Sequence, residues 1–96
     1  KYKHSYHFYP LQIKKIKNLI DKNNFMNHLV SKNIYLQSHY TPISSYDYYK
    51  KRYNYSIKSY PNTFNFFIRE VSLPTYAYIE DEKIEKIYNT INNYLT

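Results

Sequence analysis

No cysteine occurs among the 96 residues, which excludes disulfides, thiolate metal sites and a cysteine nucleophile together. Glycine is absent as well, so no glycine-rich loop of the phosphate-cradling kind is available. Tryptophan is missing too, and no apolar run reaches the length needed to cross a bilayer as a helix. Acidic residues are few, 7 against 14 lysines and arginines. Glu80, Asp81, Glu82 and Glu85 crowd the start of one segment, where a solvated helix cap explains them, and no carboxylate pair stands out for acid–base work.

Tyrosine fills much of the space these absences leave. There are 15 of them and 5 phenylalanines, so aromatic residues make up 21% of the chain and hydrophobic residues 43%. A core drawn from tyrosine must satisfy hydroxyls, which predicts half-buried rings with their tips in water. Ninety-six residues make one small domain, spanning 1–96. The opening Lys1-Tyr2-Lys3-His4 has neither an initiator methionine nor an apolar signal segment, as expected of a piece of a longer chain.

The net charge of +7 and the alternation Tyr46-Asp47-Tyr48-Tyr49-Lys50-Lys51-Arg52-Tyr53 fit a basic, Tyr/Lys-rich nucleic-acid-binding module, with rings to stack on bases and cations for phosphates. Codon usage offers a second cause. Lys, Asn, Ile, Tyr and Phe, the residues of A/T-rich codons, fill more than half of the chain, and glycine has G-rich codons.

Along the chain, residues 4–13 read as a first strand, which Pro10 restricts to an edge or a bulge. Residues 14–21 fit a helical turn or an extended connection. A helix is predicted from about Lys22 to Lys32, capped by Asn23 or Asn24, with Phe25, Met26, Leu29 and Val30 on its apolar face. Asn33 stands where a helix end commonly turns left-handed. Ile34 to Ile43 alternates Ile34, Leu36 and Ser38 against Tyr35, Gln37 and His39, the period of a strand, which Pro42 ends. A short helix is expected from Tyr46 to about Arg52, and another from Pro61 with Phe64, Phe67 and Ile68 inward. Val71 to Pro74 reads as a third strand. In the last helix Ile84, Ile87, Tyr88, Ile91, Tyr94 and Leu95 form one continuous stripe. The fold class is α+β: a small antiparallel sheet of about three strands with helices packed on one face.

His4 and His7, three apart on a strand, point to opposite faces and cannot share a metal, and His28 is an ordinary helix residue. His39 and Tyr40 arrive at a strand end, which either aims them into a site or ties the ring to a neighbouring loop by a hydrogen bond.

A Tyr-His-Phe-Tyr-Pro strand (residues 6–10), an amphipathic helix and His39-Tyr40-Thr41-Pro42 follow one another. Tyr48-Tyr49, an Asn-rich helix, Ser72-Leu73-Pro74 and a final helix come next. In this order the chain resembles the C-terminal subdomain of the DegT/StrS-type sugar aminotransferases, fold-type I pyridoxal-phosphate enzymes. That family typically has Gly just before the Ile of the His-Tyr strand, where this chain has Asn33. The resemblance implies an enzyme that aminates a nucleotide-linked 4-keto-6-deoxy sugar, closest to those of pseudaminic-acid-type pathways, for surface polysaccharide or glycan. Glutamate is then the amino donor, and the enzyme works in the cytoplasm as a homodimer, with neither nucleic acid nor membrane as partner. It also implies that His39, Tyr40 and Tyr9 lie toward the nucleotide-sugar entrance, while Ser72-Leu73-Pro74 serves packing and chain reversal. The lysine that bonds the cofactor, and the acid that holds its ring nitrogen, belong to a larger N-terminal domain. No catalytic, cofactor-binding or metal-binding residue is therefore expected here, and the 96 residues alone are expected to be inactive.

Overall fold

The computed structural model describes residues 3, 5 and 7–96. Two strands, β1 (Tyr9–Gln12) and β2 (Glu70–Leu73), pair antiparallel with Tyr9 opposite Leu73 and Gln12 opposite Glu70. Four helices, α1 (Leu19–Ser31), α2 (Asp47–Tyr53), α3 (Pro61–Arg69) and α4 (Asp81–Leu95), complete the α+β architecture with short 3-10 turns at Ile43–Ser45 and Ile57–Ser59. The first strand is shorter than the expected 4–13, of which residues 4 and 6 lie outside the described residues. Pro10 stands opposite Ser72, whose N–H and C=O are both spent on Gln37 at the far side of β2. No ladder bond is asked of Pro10, and β1 is the edge strand that a proline permits.

The expected third strand is reduced to one bridge, Gln37 with Ser72, which exchange bonds of 3.2 and 2.7 Å. The next pair on one side would call on Pro74, which has no N–H to give. On the other side the His39 N–H is taken by the Glu70 side chain at 2.9 Å instead of a strand carbonyl. The ladder is stopped at both ends, so the sheet has two strands and a single-rung extension. The alternation itself holds: Ile34 and Leu36 are buried, while Tyr35 and Gln37 are exposed.

Helix α1 begins earlier than the expected Lys22. Asn18, not Asn23 or Asn24, caps it by accepting from Asp21 N at 2.8 Å, and Asp21 reaches back to Lys17 N at 3.0 Å. Its other end closes at Asn33, with φ of 61°, where Asn33 N donates to Val30 O and Ile34 N to Leu29 O. Those two bonds, with Ile34 packed into the core that holds Leu29, make a Schellman ending.

One core lies on the Val71 and Leu73 face of the sheet, between it and helices α1 and α4. Ile13, Ile16, Phe25, Leu29, Ile34, Leu36, Val71 and Ile91 fill it, with Ile87 and Leu95 at its margin. The predicted stripe of α4 is thus split: Ile91 is inside, and Ile84 remains 48% exposed. Among the described residues no helix is long and apolar enough to cross a membrane.

Candidate functional site

The opposite face of the sheet is polar. Period-two alternation puts Glu70 and Ser72 there, both nearly fully buried, and the bridge to Ser72 brings Gln37 and His39 to the same side. His39 Nδ1 lies 2.7 Å from Ser72 Oγ, and Ser72 Oγ donates to Glu70 Oε1 at 2.7 Å. The second carboxylate oxygen of Glu70 accepts the His39 backbone N–H, and His39 Nε2 lies 2.9 Å from Gln37 Oε1.

Aromatic rings wall the half-buried imidazole. Phe8 stacks on His39 at 4.0 Å between centroids, and His7 stacks in turn on Phe8 at 4.1 Å. Tyr40, two-thirds exposed, stands edge-on to His39 at 4.6 Å and to Phe8 at 6.3 Å. The peptide between His39 and Tyr40 is cis. In front of this cluster opens a cleft of about 300 Å³, lined by Phe8, Tyr35, Gln37, His39, Ser72 and Tyr76 among others. Imidazole, amide and phenol edges in a small aromatic cleft suit a polar ligand with hydroxyl or phosphate oxygens.

The segment is also held from within. Lys22 of α1 is buried, and its Nζ donates to Ser38 Oγ and to Phe67 O, each at 2.7 Å, while lying 4.1 Å above the Phe67 ring. Burial pushes its ammonium below the usual lysine range, and the charge of Glu70 opposes that shift. Consecutive residues, Ser38 and His39, are thus anchored by a buried cation and a buried anion.

His39 and Tyr40, consecutive in the chain, stand edge-on to one another beside the aromatic cleft. Tyr9 is not with them, because it pairs with Leu73 on the other face of β1. There it lines a groove of about 530 Å³ between the sheet and α4, with Leu11, Leu73, Ile84, Ile87 and Tyr88. Ser72, expected to serve packing and chain reversal, instead gives its hydroxyl to the network. Glu70 and Gln37 were not singled out in the sequence. The available signal was Glu70-Val71-Ser72-Leu73, two polar residues at period two in a strand that has to be buried on both faces. His28 packs against Tyr94 of α4 at 4.9 Å, a helix contact, and His4 lies outside the described residues.

The residues lining the aromatic cleft include no lysine that could bond pyridoxal phosphate. Lys22 is the buried lysine, and its amine is committed to Ser38 and Phe67; the other described lysines are exposed on the surface.

A model of the DegT/DnrJ/EryC1/StrS aminotransferase family matches residues 1–92. The chain is 30% identical over 89 residues to an uncharacterised protein of Methanocaldococcus jannaschii, covering 93% of this chain and 23% of that one. It is 26% identical over 92 residues to the spore coat polysaccharide biosynthesis protein SpsC of Bacillus subtilis, covering 95% and 24%. Among solved structures, it is similar to a candidate sugar aminotransferase of Streptococcus pneumoniae, Spr1654, solved in apo, PMP and PLP forms. The TM-score there is 0.84 at 25% identity, over 93% of this chain and 22% of that one. It is also similar to Helicobacter pylori PseC, an aminotransferase involved in the biosynthesis of pseudoaminic acid, with a TM-score of 0.75 at 27% identity. That match covers 91% of this chain and 23% of PseC. The chain therefore spans under a quarter of the length of each of these proteins.

Proposed function

The chain belongs to the DegT/DnrJ/EryC1/StrS aminotransferase family, and from that premise we propose that it is the C-terminal subdomain of a pyridoxal-phosphate-dependent sugar aminotransferase. The whole enzyme transfers an amino group from glutamate to a nucleotide-linked 4-keto-6-deoxy sugar destined for surface polysaccharide or glycan, and acts as a cytoplasmic homodimer. What carries the reading is the match along residues 1–92 together with a fold shared over 93% of the chain with a candidate sugar aminotransferase. A spore coat polysaccharide protein and a pseudoaminic-acid enzyme among the similar proteins support the choice of sugar chemistry.

In this reading the cofactor and the lysine that bonds it are held outside these residues, and the subdomain alone is inactive. Its own contribution is recognition: His39 and Tyr40 contact the nucleotide-sugar at the aromatic cleft, by hydrogen bonding and by ring contact. Tyr9 contributes from the groove side of β1, not from their cleft.

The test is the full-length chain supplied with pyridoxal phosphate. The expected result is a visible absorbance band that disappears when one lysine outside residues 1–96 is replaced. A full-length chain that binds no pyridoxal phosphate would overturn the proposal.

The rival, a free-standing basic nucleic-acid-binding module, draws on the exposed tyrosines beside Lys50, Lys51 and Arg52. Those rings are turned to one another: Tyr49 with Tyr53 at 6.4 Å, Tyr53 with Tyr55 at 5.5 Å and Tyr55 with Tyr60 at 5.4 Å. Faces engaged in this way offer less of a stacking platform for bases. Steep, salt-dependent binding of single-stranded oligonucleotides by the full-length chain would favour the rival.

A further inference from the structure

The Glu70 carboxylate is almost wholly buried, and both of its oxygens are spent on the segment that carries His39. Oε2 accepts the His39 backbone N–H at 2.9 Å, and Oε1 accepts the Ser72 hydroxyl at 2.7 Å. A serine hydroxyl has one hydrogen, and here it goes to Glu70. The 2.7 Å contact between Ser72 Oγ and His39 Nδ1 therefore takes its hydrogen from the ring. Nδ1 is the protonated nitrogen; in the neutral imidazole Nε2 is then an acceptor, and it pairs with Gln37 at the cleft when the Gln37 amide presents its NH2 in place of Oε1.

We propose that Glu70 is a positioning residue for His39. Through Ser72 it fixes the ring in the Nδ1–H form, and through the backbone amide it fixes the ring's place, so that the Nε2 lone pair is held at the cleft, where a ligand hydroxyl replaces the Gln37 amide as its donor. Stacking of Phe8 on the other side keeps the imidazole from swinging away. The ligand is a hydroxyl- or phosphate-bearing sugar nucleotide, and this identification rests on the function proposed above. The tautomer and its control by Glu70 rest on the hydrogen bonds alone.

Glu70→Gln keeps the shape but turns one acceptor into a donor. Ser72 is then free to accept from the amide and to donate to Nδ1, which reverses the ring's tautomer. Ser72→Ala removes the link with a smaller change to the interior.

Both variants belong in the full-length enzyme labelled with ring-15N histidine, with His39→Ala identifying the His39 signals. The expected result is that each variant moves the His39 signals away from the Nδ1–H pattern. Each is also expected to raise the KM for the nucleotide-sugar about tenfold, the loss of one oriented hydrogen bond, leaving the half-reaction with glutamate unchanged. Combined with His39→Ala, Glu70→Gln adds nothing further to KM. Unchanged His39 signals in both variants overturn the proposal, as do KM effects that multiply in the double variant. If the signals move but His39→Ala leaves KM untouched, Glu70's hold on the ring is upheld and the reading of His39 as a substrate contact is overturned.

Discussion

Lys22 carries a charge into the interior, and its stability cost depends on pH in a way that fixes a sign. Its folded-state pKa is lowered by burial, so above that value and below the unfolded value of about 10.4 the unfolded chain holds more protons than the folded one. Stability at this residue rises with pH through that alkaline window. The neutral amine still has two hydrogens for its two acceptors, Ser38 Oγ and Phe67 O. Lys22→Met is expected to be less stable than the natural chain, because two buried acceptors lose their donor. The gap in urea midpoint should widen as pH is raised toward 10, and a gap independent of pH contradicts the assignment. His39 makes a separate prediction. His39→Ala in the full-length enzyme is expected to raise the KM for the nucleotide-sugar about ten- to a hundredfold, while cofactor loading and the glutamate half-reaction stay nearly constant. A lower melting temperature with equal loss for both substrates would mean that the ring serves only Ser72 and Gln37. His39 and Tyr40 stood out in the sequence as a pair at the end of an expected strand, of which the structure keeps one bridge. Their buried supports were not legible there, because Glu70 and Ser72 lie some thirty residues away and only the pairing of β2 brings them beneath the ring.

Helix α1 shows what local signals decide at the scale of an element. Asn33 adopts φ of 61° at its end, a conformation asparagine tolerates and glycine prefers. Asn33→Gly is expected to leave stability unchanged within a few tenths of a kcal/mol or to raise it, and Asn33→Val to cost about 1–2 kcal/mol, read from denaturant midpoints. That ending was legible because Asn33 directly follows Lys32, the last residue of the expected helix. The beginning was misplaced because Asn18, Asn23 and Asn24 are all chemically able to cap. Only Asn18 has an acid three residues on, Asp21, that bonds back. Asn18→Ala is expected to cost about 1 kcal/mol, and Asn23→Ala almost nothing. The segment after Asn33 failed as a strand for a reason alternation cannot reveal. Its pattern suits a strand, but its partner ends in Pro74 and turns a carboxylate, not a carbonyl, toward His39. Helix α4 was legible throughout, since fifteen residues of one period outweigh any local ambiguity.

At the scale of the whole molecule, the core is small and the surface unusually aromatic. Ile20 is 71% exposed and Tyr78 almost entirely so, while Ile84 and Tyr88 line an open groove beside α4. A chain under a quarter as long as its relatives, with such a surface, is expected to be marginal by itself. The isolated 96 residues should associate with rising concentration in sedimentation and melt at low temperature. A monomer that unfolds cooperatively at high temperature would contradict this.

The pairing of β1 with β2 also sets the order in which such a chain can assemble. Tyr9 meets Leu73 across roughly sixty residues, and Gln37 meets Ser72 across about thirty-five, so every sheet contact spans a long loop. Helices α1 and α4 can begin to form from neighbouring residues, but the sheet has no local hairpin from which to start. On the ribosome the first strand must wait unpaired until β2 has been synthesised, and the Glu70 that steadies His39 arrives with it. Until then the polar face has no lining, and the aromatic cleft beside His39 is among the last parts of the chain to exist.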